Sequence, residues 1–113
     1  MQARYRLRKN GSFQYIYRNG TAVRGELMTM IFVAARGIKL GVSVSKKVGK
    51  SVVRNLVKRR INHAFSAFIP LLKGEHNYVL VAHESIAKGS FNDISSEIRA
   101  LLKRAGHLSE EKV

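Results

Sequence analysis

The chain has no cysteine, no tryptophan, one proline and only seven acidic residues among 113. Without cysteine there is neither a disulfide framework nor a thiolate metal site, which is compatible with a reducing cytosol. No apolar run approaches the roughly 18 residues of a membrane-spanning segment, and no lipidation signature closes the sequence. The opening Met1–Lys9 stretch lacks the apolar core of a secretory signal, so a cytoplasmic location is expected. Asn10-Gly11-Ser12 and Asn19-Gly20-Thr21 then read as turn chemistry rather than as glycosylation acceptors. A hydrophobic content of 45% argues against disorder. The length suits a single domain over residues 1–113 with one modest core.

Positive charge is abundant. Lys and Arg number 21, for a formal net charge of +14. Residues 1–74 hold sixteen of these cations and a single acid, Glu26, whereas residues 75–113 hold five cations and six acids. A field concentrated in this way repels itself in the compact state and favours a polyanion that releases counterions on binding. Nucleic acid is the leading partner class, and no membrane is expected.

Hydrophobic periodicity gives the order α, β, β, β, α, β, α without repeats or linkers. A short helix is expected from about Ser12 to Arg18, capped by Ser12 and stopped at Gly20. The 21–25 stretch supplies a short edge strand. Leu27–Ala35 and Lys39–Ser45 follow as two strands expected to be antiparallel neighbours. A basic helix runs to about Phe68, where Pro70 stops it, and Tyr78–His83 is a central-looking strand. Ser90 and Asp93, at capping-box spacing, open a last helix with Ile94, Ile98, Leu101, Leu102 and Ala105 on one stripe and Gly106 at its stop. Residues 108–113 are expected to form a frayed tail.

The basic helix carries the strongest functional signal. Val53, Ile61, Ala64 and Phe68 fall within about half a turn of Val57, the spacing of a core-facing stripe, while Arg54, Asn55, Lys58, Arg59 and Asn62 occupy the other side. Cations and amides opposite an anchored face suit phosphate oxygens, although a solvated helix face reads the same way.

Signs of protein-borne catalysis are thin. Val44–Ser51 ends in Gly-Lys-Ser between a strand and a helix, but Val44 stands where a nucleotide-binding loop of the Walker A type needs its first glycine. Helix-start amides with Lys46, Lys47 and Lys50 can still hold a backbone phosphate. The histidines at 63, 76, 83 and 107 are scattered and read as surface or half-buried structural residues. No carboxylate pair lies in the basic two thirds to collect Mg²⁺. Phe13 and Tyr17, four apart on one helical face, either dock the first helix on the sheet or offer rings on which single-stranded RNA bases stack.

Residues 39–61, Lys-Leu-Gly-Val-Ser-Val-Ser-Lys-Lys-Val-Gly-Lys-Ser-Val-Val-Arg-Asn-Leu-Val-Lys-Arg-Arg-Ile, strongly resemble the signature of the bacterial ribonuclease P protein component. The resemblance extends back through Leu7–Gly20 and forward through Ala64-Phe65, the strand at 78–82 and the closing helix. It implies an α+β fold, a single-domain two-layer α/β sandwich of αβββαβα order with a left-handed βαβ crossover. It also implies a protein that binds a large catalytic RNA, the ribonuclease P RNA, and the 5′ leader of precursor tRNA. In that family the RNA subunit with Mg²⁺ carries the cleavage chemistry, and no obligate protein partner is expected. Carried over by position, the RNA-subunit contacts fall on Arg54, Asn55, Lys58 and Arg59, and Arg60 replaces a lost one. The leader cleft falls on Phe13 and Tyr17, with Lys46 and Lys47 at its basic edge and Ile31 on the sheet.

The sequence departs from the family pattern at three positions. Leu56 stands where many relatives have a second arginine, Asn62 where a basic residue is frequent, and Ile31 where a cleft tyrosine is common, unless the register slips by one and Phe32 supplies the ring. A structural RNA-binding protein of ribosomal type is the rival class, and would share the basic field without restoring cleavage to a catalytic RNA.

Overall fold

In the computed structural model, which describes residues 2–108, the elements run α1 (Asn10–Asn19), β1 (Thr21–Arg24), β2 (Met28–Ala34), β3 (Lys39–Ser43), α2 (Ser51–Phe68), β4 (His76–Ala82) and α3 (Phe91–Arg104). The strands form one sheet in the order β1-β2-β4-β3, with β4 antiparallel to β2 and parallel to β3. The expected pairing of β2 with β3 is therefore corrected, because β4 lies between them. Burial gives the reason. Tyr78, Val79 and Leu80 are all fully buried, so β4 needs cover on both faces and both edges, which only a central position supplies. Residues 35–38 cross the intervening strand, a gap of about 10 Å that four residues span. Gly37, at φ 79°, makes the turn.

Alternation along the strands divides the side chains between two faces. Met28, Met30, Leu40, Tyr78 and Leu80 meet Val57, Ile61, Ala64, Phe65 and Phe68 of α2 and the Ile94, Ile98, Leu101 and Leu102 stripe of α3. This is the main core, with helices layered on one face of the sheet. On the opposite face α1 covers a smaller cluster of Leu7, Ile16 and Val79, with Phe13, Ile31, Val33 and Val81 packed around it. Ile31 thus faces α1. Phe32 points the other way, its ring centroid 6.3 Å from Tyr78 and 4.4 Å from His107, so Ile31 rather than Phe32 lies on the α1 side of the sheet.

The helix ends show which local signals operate. Ser12 lies inside the first turn of α1, and Lys9 holds the cap position without a side-chain hydrogen bond. Gly20 ends α1 in extended rather than left-handed backbone. It is needed for proximity: a Cβ there would come within 2.6 Å of the Ile16 carbonyl and the Ile31 side chain. α2 stops at Phe68, and Pro70 sits in the following 3-10 turn, Ile69–Leu71. α3 opens with the expected reciprocal box, Ser90 and Asp93 exchanging two hydrogen bonds of 3.0 Å, which holds the Asp93 carboxyl below its ordinary pKa. One turn on, the Glu97 carboxylate accepts from the backbone N–H groups of Glu26, Leu27 and Met28 at 3.2, 2.7 and 2.8 Å, tying the β1–β2 hairpin to α3.

At the far end of α3 the N–H of Gly106 donates to Lys103 and that of His107 to Leu102, with Gly106 at φ 78°. The following Leu108, where fraying was expected to begin, is instead buried and bridged to Leu72, because this reversal turns the chain back onto the core. Residues 109–113 lie outside the described residues. His107 also departs from the half-buried reading, with only 7% exposure. Its ring stacks on His76 at 4.0 Å and its Nδ1 is 2.8 Å from the Tyr78 hydroxyl.

This cluster sets a pH dependence. Desolvation lowers the pKa of both histidines, and for His107 the charge of His76 lowers it further. The unfolded chain then binds protons near the ordinary value of about 6.5, while the native chain binds them only at lower pH. Stability from this pair is complete above about pH 6.5 and is lost as pH falls below it. Thermal melting should therefore shift downward between pH 7.5 and pH 5. A His76→Phe variant, which removes one titrating ring, should show a smaller shift; equal shifts in both proteins would contradict the assignment.

Candidate nucleic-acid interface

The outer side of α2 follows from its sequence. Once Val57, Ile61, Ala64, Phe65 and Phe68 are buried, 3.6-residue periodicity leaves Asn55, Lys58 and Arg59 in solvent. Arg54 is half-buried, and its Nε donates to the Gly49 carbonyl at 3.1 Å, which ties the start of the helix to the preceding turn. Arg60 is also half-buried, its guanidinium donating to the Gly89 carbonyl at 3.2 Å, so it braces the loop before α3. Asn62 uses its amide N–H on the Lys58 carbonyl at 3.0 Å, and Leu56 is half-buried. The ridge therefore presents Asn55, Lys58 and Arg59 outward and Arg54 and Arg60 at its flanks.

Phe13 and Tyr17 do share one face of α1, with ring centroids 6.5 Å apart and planes tilted by 51°. Their environments differ. The Phe13 ring rests on β3 at Gly41, where an added Cβ would lie 2.4 Å from Cζ, while Tyr17 keeps 41% of its surface exposed. Ile31 joins Phe13 in the cluster beneath α1. Lys46 and Lys47 are exposed in a 3-10 turn, Lys46–Val48, directly after β3. Lys50 holds the α2 cap position with no side-chain cap, which leaves first-turn amides of α2 without a side-chain partner a few residues after these lysines.

A groove of about 410 Å³ joins the two regions. Its floor is Leu40, Gly41, Val42 and Phe13; Lys58 and Asn62 of α2 form one wall, Arg6 and Arg8 the other. A second groove, of about 460 Å³, continues past Arg4, Arg6, Arg8 and Lys9 to Arg36 and Lys39. These N-terminal arginines were missed as site residues. Their signal was Arg6-Leu7-Arg8, a cation on either side of one apolar residue. The segment is extended, bridged to Leu40 through Arg6, so Leu7 is buried and both arginines point away from it. No acid lines either groove, and such surfaces concentrate phosphate.

Comparison with known proteins agrees with this architecture. The family model for Ribonuclease P matches residues 1–106. The ribonuclease P protein component of Clostridium kluyveri is 37% identical over 106 residues, covering 90% of this chain and 95% of that protein. That of a Geobacillus species is 30% identical over 115 residues, covering 98% of each. Among solved structures, the ribonuclease P protein of Staphylococcus aureus matches with a TM-score of 0.85 at 28% identity, over 93% of this chain and 98% of that one. The Thermotoga maritima protein shares the fold, with a TM-score of 0.80 at 24% identity over 88% and 96% of the two chains.

Proposed function

The chain belongs to the ribonuclease P protein family, and from that premise we propose how its surfaces divide the work of the holoenzyme. It is the protein subunit of an endoribonuclease that matures tRNA 5′ ends, and it associates with the ribonuclease P RNA. The α2 ridge, through Arg54, Asn55, Lys58 and Arg59, meets phosphates of that RNA. The α1 cleft, through Phe13 and Tyr17 above Ile31, takes the single-stranded leader of precursor tRNA, and Lys46 and Lys47 neutralise its backbone. Arg60 acts by holding the Gly89 loop rather than by replacing the arginine that Leu56 lacks.

The observation that carries this reading is the acid-free groove shared by the two regions, with Phe13 in its floor and Lys58 in its wall. Substrate and RNA subunit can then lie side by side along β3, with Arg6, Arg8 and Lys58 offsetting the repulsion between the two phosphate backbones. The side chains fit a divalent metal poorly. No three His, Asp or Glu residues converge among those described, the Asp93 carboxylate is engaged in a helix cap, and that of Glu97 in three backbone amides. Mg²⁺ is accordingly assigned to the RNA, and this chain contributes positioning and charge. A cytoplasmic site of action follows from the tRNA substrate.

Reconstitution tests the reading. The purified chain should restore 5′ cleavage of precursor tRNA to a bacterial ribonuclease P RNA at Mg²⁺ too low for the RNA alone, and protein without RNA should cleave nothing. Within that assay, Lys58→Ala or Arg59→Ala should weaken assembly and reduce the slope of log affinity against log salt by roughly 0.9 per lost duplex phosphate contact. An unchanged slope in a folded variant would remove that residue from the phosphate surface.

A further inference from the structure

The α2 ridge has a second flank, facing α3. Arg59, Arg60, His63 and Phe91 surround a shallow depression of about 280 Å³ there. Phe91 is the first residue of α3, and 37% of its surface remains exposed, although a phenyl ring gains most by burial. His63, one turn beyond Arg59 on α2, meets it edge to face, with ring centroids 5.4 Å apart and planes at 80°. The ring is also held from behind. Arg60 donates to the Gly89 carbonyl, and the Ser90–Asp93 box fixes the first turn of α3, so Phe91 starts from a braced backbone. The nearby Asp93 carboxylate is engaged in that box, and Arg59 stands exposed beside the ring.

We infer that Phe91, with His63 and Arg59, seats one unstacked base of the RNA subunit. This deepens the proposed function and rests on its placement of α2 against that RNA. A flat, half-exposed ring gives a base a face to stack on, and stacking of this kind tolerates any base. Arg59 lies where it can meet the phosphate of the same nucleotide, which supplies the charge complementarity that an apolar protein partner would lack. The depression is smaller than the roughly 300–1,000 Å³ of small-molecule pockets and suits a single ring system. Only an unpaired nucleotide can use it, because paired bases are not splayed out to reach a side ring. α2 would then have an aromatic residue on each flank: Phe13 facing the leader and Phe91 facing the RNA subunit.

The chain has no tryptophan, so Phe91→Trp introduces a single fluorophore at this position. Titrating ribonuclease P RNA into that variant should quench its emission, and an RNA duplex of equal charge should not. Phe91→Leu, which keeps apolar contact with His63 but lacks a stacking face, should weaken RNA affinity about 5-fold or more, and Phe91→Trp should not. Because stacking displaces no counterion, the salt slope of Phe91→Leu should match that of the unaltered protein. Thermal melting of both variants separates this from a damaged fold. If Phe91→Leu binds normally while Arg59→Ala binds weakly, the base seat is wrong and the α2 reading stands. If Lys58→Ala and Arg59→Ala also bind normally, with unchanged salt slopes, the α2 reading itself fails. Equal weakening by leucine and tryptophan, without quenching, would make Phe91 a packing residue and overturn the inference.

Discussion

Replacing Phe13 or Tyr17 by leucine should lower holoenzyme affinity for leader-bearing precursor tRNA by about 5-fold to more than 100-fold, the range that follows from about 1–3 kcal/mol of stacking per base. Leucine retains apolar bulk over Gly41, so α1 should stay on the sheet while the flat ring is lost. Mature tRNA provides the control: it lacks the leader, and its affinity should hardly change. The quantity to measure is the ratio of the two affinities, alongside the melting temperature. The two residues should also differ. Tyr17 is more exposed and is free to stack, whereas Phe13 divides its ring between β3 and the groove. Tyr17→Leu should therefore leave the melting temperature nearly unchanged, and Phe13→Leu should lower it slightly. Ratios unaltered in both variants would return these rings to a purely structural role in docking α1.

A second large effect is expected at Gly41. A methyl group there would fall 2.4 Å from Cζ and 2.7 Å from Cε2 of Phe13, and 3.1 Å from a Leu7 methyl. Since Phe13 is only half-buried, the ring should swing out of its seat before the strand distorts. Gly41→Ala should then cost about 1–3 kcal/mol, in the range of overpacked sites, which for a domain of this size lowers the melting temperature by several degrees. The displaced ring should also lose its discrimination between precursor and mature tRNA. Combining Gly41→Ala with Phe13→Leu tests the mechanism, because two changes acting through one ring should not add. Full additivity in the affinity ratio would mean that Gly41 acts on the leader by another route.

Features that repeat within a few residues were readable from the sequence. The Val57–Phe68 stripe, the Ser90–Asp93 box and the stop at Gly106 depend on neighbours along one helix, and all three are present. The placement of β4 between β2 and β3 was not readable, because strand pairing is decided by which segment must be covered on both faces. That comparison involves residues about forty apart. Gly20 was read as a helix stop from its type, but the residue is there because Ile31 approaches so closely. At the site, the outward cations of α2 were legible from helical period. Arg6 and Arg8 were not, since a four-residue extended arm is too short to show a pattern until β3 is known to accept it. The bracing role of Arg60 depends on Gly89, 29 positions away, and no local signal marks it.

The central position of β4 also orders the events of synthesis. β3 borders only β4 in the sheet, and α2 packs on a core to which β4 contributes Tyr78 and Leu80. A nascent chain that has emerged only as far as residue 75 already contains β1, β2, β3 and α2 and sixteen cations, yet β3 and β2 have no strand to join them. At roughly 5–20 residues per second, this open, highly charged intermediate lasts until residues 76–82 leave the ribosome. During that interval it is exposed to ribosomal RNA, the nearest polyanion. The last third of the chain, whose five cations are outnumbered by six acids, therefore decides when the basic surface acquires a defined shape and can distinguish its own RNA from any other.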